Sequence, residues 1–169
     1  MIADADWLNS VLPPAARHPG LAIARLGDAR SVEMVRAHDS IVRRALKNAN
    51  GTEIKHTGDG LMASFKSTAE AITCARAIQA GLESFNLASD EELTERIGLD
   101  AGEPVADNND LFGATVQMAA RLCAIAEKST IYVTDAVRAF APVGIEVIAR
   151  GTRQLKGFAE PVPVFEVAW

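Results

Sequence analysis

The residues able to do chemistry are few, and each is plain when taken alone. Asp59 stands in a Gly58-Asp59-Gly60 turn, Lys55 lies four residues before it, Asp110 closes an Asn108-Asn109-Asp110 run, and Arg150, Arg153 and Lys156 lie in and beside a Gly151 to Gly157 loop. Carboxylates of this kind hold hard cations or accept hydrogen bonds, and lysine and arginine hold phosphate. On spacing alone, Asp59 reads as a hairpin turn residue and Lys55 as a solvated strand-edge cation. Asp110 reads likewise as a helix N-cap, Arg121 as a solvent-facing helix cation and Lys156 as a loop charge. Asp100, in Gly98-Leu99-Asp100-Ala101-Gly102, reads as a strand-end or hairpin acid. His38 and His56 have no second His or Cys at ligand spacing, so neither is assigned a metal or a proton.

These side chains need a scaffold, and hydrophobic periodicity supplies one. Val32, Val35, Ile41, Val42, Ala45 and Leu46 recur at helical spacing from Asp28, with Gly51 just past the end as a C-cap. Glu53 to Thr57 and Leu61 to Phe65 flank the Asp-Gly turn as a hairpin. Ala71, Ile72, Ala75, Ile78, Leu82 and Phe85 form the stripe of a second long helix, and Ser89 to Glu92 reads as a loop. Arg96 to Gly102 and Glu103 to Ala106 read as a strand pair, followed by Asn108-Asn109-Asp110 and a helix carrying Val116, Ala120 and Ile125. Thr130 to Thr134 is a compact strand; Val143 to Ile148, the Gly151 to Gly157 loop and a Val162 to Ala168 strand interrupted at Pro163 close the chain. The alternation is that of an α+β domain, helices on a mostly antiparallel sheet. Residues 1 to 169 form one domain, with 1 to about 27 open in role.

Composition narrows the function classes. With 169 residues, 49% of them hydrophobic, and 23% charged, the chain can bury a core without disulfide or metal, and disorder is excluded. A net charge of -5 offers no broad basic surface, which argues against a nucleic-acid partner. The two cysteines, Cys74 and Cys123, sit among apolar residues and read as reduced core thiols. No apolar run is long enough to span a membrane, and Met1 to Asp6 carry two acids where a leader would carry cations. A cytoplasmic location, with no membrane partner, is expected.

Five ordered segments from Arg25 onward together resemble class III adenylate/guanylate cyclase catalytic domains. They are Arg25 to Ala29 with Arg36 to Asp39; Lys55-His56-Thr57-Gly58-Asp59-Gly60 with its apolar continuation; Arg96 to Glu103; Asp110 to Leu122; and Leu155-Lys156-Gly157-Phe158. The resemblance implies a ferredoxin-like nucleotide-cyclase fold forming a head-to-tail dimer, with ATP bound at the interface and converted to cyclic AMP and pyrophosphate. It implies Asp59 as a ligand of Mg²⁺ or Mn²⁺. Lys55 and Asp110 become the pair that reads the adenine edge, Lys156 the grip on the terminal phosphates, Arg121 the cation at the transferring phosphorus, and Gln117 the residue that orients the ribose.

Two departures accompany the match. The family's first strand carries another metal-binding aspartate, yet here Pro13-Pro14-Ala15-Ala16 occupies that stretch and the aspartate position falls near Ala15. Prolines there remove ladder donors that a central strand needs, so residues 1–24 are a divergent segment and the first strand is expected to be altered. Gln117 stands where the family usually has Asn. Three readings follow: a weak homodimeric cyclase, half of a heterodimer completed by another cyclase domain, or a catalytically degenerate module for nucleotide binding or dimerisation.

Overall fold

The computed structural model describes residues 28–57, 60–107 and 110–169; the segment 1–24 and Asp59 lie outside them. Helix α1 (Asp28–Asn48) is followed by the hairpin β1 (Thr52–Thr57) and β2 (Gly60–Ser64), then α2 (Thr68–Leu87). The chain continues through β3 (Ile97–Leu99), β4 (Val105–Asp107), β5 (Asp110–Phe112) and α3 (Ala114–Ile125). It ends with β6 (Ile131–Val133), the short α4 (Asp135–Arg138), β7 (Val147–Arg153) and β8 (Val162–Val167).

Among the described residues, four strands form the main sheet in the order β3-β6-β8-β7; β3 runs parallel to β6, and the other pairings are antiparallel. Every residue of β3 and β6 is buried, as expected of strands covered on both faces. Side-chain alternation divides the two layers. Ile97, Leu99, Ile131, Val133 and Val167 face α1 and α2, whereas Tyr132 and Val164 join Leu122, Ala126 and Leu155 on the α3 side. Gly98 marks where the second layer closes: a methyl group built there would collide with the Ala119 carbonyl oxygen and the Cys123 amide nitrogen, so only glycine lets α3 lie this close to β3.

The helices carry their own start signals and anchors. Ser67 caps α2, accepting from the Glu70 amide at 3.2 Å while its hydroxyl donates to the Glu70 carboxylate at 3.2 Å. Ile72, Ile78 and Leu82 of that helix are fully or almost fully buried, and truncation of any one to Ala would cost roughly 2–5 kcal/mol. In α1 the buried stripe is Met34, Ile41, Val42, Ala45 and Leu46. Val32 and Val35, expected in the core, are 47% and 41% exposed among the described residues, whereas Met34 and Ala37 of the same end join the core beside Phe85.

The sequence-based strand pairing fails between 96 and 112. β3 pairs with β6 and not with 103–106, while β4 pairs with β5 as a separate two-stranded ribbon. Ile97, Gly98 and Leu99 lack the period-2 polarity of a half-exposed hairpin because both their faces are covered. The closing hairpin also differs. β7 runs through Gly151 to Arg153, which read as loop, because a bulge between Ala149 and Thr152 absorbs Gly151 at φ 79°. Pro163 lies within β8, paired with Thr152 at that bulge, and α4 has no counterpart among the elements expected from periodicity. Both cysteines are free and buried, as expected; burial pushes each thiol up to about 12.

Candidate functional site

Lys55 and Asp110, 55 residues apart in the chain, meet in the folded protein. Lys55 Nζ lies 2.6 Å from Asp110 Oδ2. Two local features aim them. β1 carries a bulge between Glu53 and Lys55, leaving Ile54 as the extra residue immediately before the lysine, and bulges re-aim side chains. Ile54 itself packs with Leu111 and Val116 beneath the site, pinning β1 against β5 and α3. Asp110 opens β5 and is no helix cap: α3 begins at Ala114, with Gly113 at its N-cap in a φ of 116° that suits glycine. The Asp110 carboxylate accepts the Lys55 hydrogen bond and, through Oδ1, the Leu111 amide at 2.8 Å. Together these hold its pKa below the usual carboxylate value.

The ammonium has a second neighbour, which motif and spacing did not bring out. Lys55 Nζ lies over the Phe112 ring, 5.8 Å from its centroid. The available signal was strand alternation: Asp110 and Phe112 are two apart on β5 and so share a face.

Arg121 and Lys156 also come together. Arg121, half-buried on α3, donates from Nε to the Lys156 carbonyl at 3.0 Å. The turn that carries Lys156 is anchored by buried Leu155, which packs on Leu122, and closed by the Phe158 amide donating to the Leu155 carbonyl. Lys156 is left exposed beside the arginine. Gln117, one helical turn before Arg121, is exposed on the same side of α3. Since α3 follows β5 directly, Arg121 lies roughly 10 Å along the helix from its start. Two pairs result, Lys55 with Asp110 and Arg121 with the turn that carries Lys156, with Gln117 on the same side of α3 as Arg121.

The remaining sequence candidates are Asp59, Asp100 and His38. Asp59 is outside the described residues. Asp100 sits at the end of β3, where its carboxylate accepts from the Thr134 hydroxyl at 2.6 Å; burial raises its pKa, an effect only partly offset by Thr134 and the Ala101 amide. That is the strand-end role expected of it. His38 on α1 pairs with Glu95 at 2.7 Å. Burial draws the imidazole down, but Glu95 and then Asp39 outweigh it, and its pKa stands above the usual histidine value. Among the described residues no group of three or more His, Cys, Asp or Glu side chains could hold a metal ion, and no helix is long and apolar enough to cross a membrane.

Comparison with known proteins gives a consistent pattern. The sequence profile of the adenylate and guanylate cyclase catalytic domain matches residues 23–166. A Rhizobium meliloti protein provisionally named adenylate cyclase 3 is 29% identical over 119 residues, covering 68% of this chain and 20% of that protein. An uncharacterized Mycobacterium tuberculosis protein, Rv2212, is 31% identical over 142 residues, covering 84% of this chain and 36% of its own length. The chain thus spans well under half of these curated relatives. Among solved structures, the adenylate/guanylate cyclase/hydrolase from Silicibacter pomeroyi superposes with a TM-score of 0.83 at 25% identity, covering 99% of both chains. The guanylate cyclase domain of RhGC from Catenaria anguillulae, solved in complex with GTP, shares the fold at a TM-score of 0.77 and 16% identity, over 96% of this chain and 93% of that one.

Proposed function

The chain belongs to the adenylate and guanylate cyclase catalytic-domain family, and from that premise we propose that it is the purine-reading side of an ATP-using cyclase completed by a second cyclase domain. The observation that carries the reading is the 2.6 Å pairing of Lys55 with Asp110. Adenine offers an acceptor at N1 and a donor at its exocyclic amine, which suits an ammonium beside a carboxylate. Guanine presents a donor at N1 and an acceptor at O6, so both contacts would oppose it.

In this reading the triphosphate lies along α3. Arg121 stabilises charge at the α-phosphorus, Lys156 holds the terminal phosphates, and the Gln117 amide orients the ribose. The ribose 3′-oxygen bonds to the α-phosphorus, the bond to pyrophosphate breaks, and the 3′ proton leaves to solvent. The products are 3′,5′-cyclic AMP and pyrophosphate.

Mg²⁺ or Mn²⁺ would arrive as a companion of the triphosphate, with Asp59 as the sequence's one candidate ligand. The described residues do not make a cage for it, since Asp110 is engaged by Lys55 and Asp100 by Thr134. A different cyclase domain would supply the missing carboxylate, since a second copy of this chain carries Ala15 as well, and ATP as substrate fits a cytoplasmic location.

A second reading, a nucleotide-binding or dimerisation module without turnover, is favoured by Ala15 and its flanking prolines where the family carries an aspartate. Cyclic AMP production from ATP and Mn²⁺ separates the two, with the chain assayed alone and mixed with a cyclase domain bearing its own carboxylates. Turnover in the mixture that Lys55→Ala abolishes is the expected result. ATP binding without turnover in every mixture would establish the degenerate module.

A further inference from the structure

Phe112 is an apolar side chain left 48% exposed, and Val105, its cross-strand partner, is 65% exposed. The β4–β5 ribbon stands apart from the main sheet, so burial does not account for an aromatic ring at this position. What the ring does touch is chemical. The Lys55 ammonium lies over it at 5.8 Å, inside the roughly 6 Å at which a cation is drawn to an aromatic face. The same ammonium is 2.6 Å from Asp110, two residues away on the same strand face.

We propose that Phe112 is a positioning residue for the purine-reading pair: its ring face holds the Lys55 ammonium in place when the base edge comes between that ammonium and Asp110. The inference rests on the adenine-reading assignment of Lys55 and Asp110. When adenine binds, Asp110 accepts from the exocyclic amine and Lys55 donates to N1, so the direct hydrogen bond between the two side chains is exchanged for two bonds to the base. The lysine then loses its carboxylate partner. A four-carbon stem with free rotors would ordinarily swing toward water and lose entropy on being drawn back to the base. The ring removes that freedom beforehand. The same restraint sharpens selectivity, because a held ammonium cannot retreat from the N1 proton of guanine.

The test measures equilibrium binding of ATP and GTP, by dialysis, to the purified chain and to Phe112→Leu, Phe112→Trp, Lys55→Ala and the Lys55→Ala/Phe112→Leu double variant. Leucine keeps the apolar bulk and removes the aromatic face, whereas tryptophan keeps the face. The expected result is a ~2- to 5-fold fall in the preference for ATP over GTP in Phe112→Leu. Phe112→Trp retains the preference, and Phe112→Leu has no further effect once Lys55 is Ala. Affinity for inorganic tripolyphosphate stays unchanged, since the ring acts on the base end alone.

An unchanged ATP to GTP ratio in Phe112→Leu, or the same loss in the Lys55→Ala background, overturns the inference. If Lys55→Ala alters the ratio while Phe112→Leu does not, only the role of Phe112 fails. If Lys55→Ala also leaves the ratio untouched, the purine-reading assignment fails and the inference falls with it. A readout in the nucleotide-free protein adds an independent arm: the Asp110 carboxyl, titrated by NMR, moves up toward its usual value in Phe112→Leu as the ammonium drifts off. No movement overturns the proposal.

Discussion

Two charged pairs bridge distant parts of this chain at almost the same distance, yet the fold treats them differently. Lys55 and Asp110 meet at 2.6 Å with side chains 45% and 27% exposed; His38 and Glu95 meet at 2.7 Å with side chains 25% and 7% exposed. Glu95 is also embedded through its backbone, which accepts from buried Gln79 at 3.1 Å and from the Ser129 amide at 3.0 Å. The outer pair is screened by solvent and can exchange its partners for a ligand at little cost to stability. The inner pair fastens α1 to the segment that leads into β3, and breaking it would leave a largely buried polar group without its partner. Similar geometry therefore suits the proposed recognition in one place and cohesion in the other.

That contrast can be broken experimentally, beginning with its largest effect. Glu95→Ala removes the buried partner and should cost about 1–3 kcal/mol in urea unfolding while leaving the ratio of ATP to GTP affinity as it was. A change in that ratio would show that the inner pair belongs to the site.

A pH dependence comes next. The His38 pKa is raised in the folded protein, so its contribution is fully present below the unfolded histidine value and is lost as pH rises through the folded value. Thermal midpoints should fall across that window, and His38→Gln should flatten this component. The Asp110 shift has the opposite sense: its stabilisation is present above the ordinary aspartate value and disappears as pH falls through the depressed one.

Smaller still is the stability effect of Lys55→Ala, for which the urea midpoint should match wild type within error. The smallest expected signal is thiol reactivity. With both thiols pushed up to about 12 by burial, neither Cys74 nor Cys123 should label at neutral pH until the protein unfolds.

The sequence disclosed those parts whose local signals agree with their surroundings. α2 could be read because its apolar stripe is clean, and the β1–β2 hairpin because Gly58-Asp59-Gly60 separates two strand-like runs. The partner of β3 was hidden, since Ile97, Gly98 and Leu99 are covered on both faces and carry no alternation that names a neighbour. Val35 misled for the converse reason: its spacing suits the α1 stripe, but it is 41% exposed among the described residues.

Among the site residues, motif resemblance brought out Lys55, Asp110, Arg121 and Lys156, and folding brings them into two pairs. It did not bring out Phe112, whose place beside Lys55 depends on the register of a three-residue strand. Nor could it separate the two charged pairs by purpose, because burial is a property of the assembled layers and His38 and Glu95 are 57 residues apart.

The central claim is that the Lys55–Asp110 pair reads adenine, and the most direct test is the affinity of wild type and Lys55→Ala for ATP and GTP. Wild type should prefer ATP, and Lys55→Ala should lose roughly 10- to 100-fold in ATP affinity, with GTP weakened far less and the fold intact. Equal affinities in wild type, or an equal loss for both nucleotides in the variant, would contradict it.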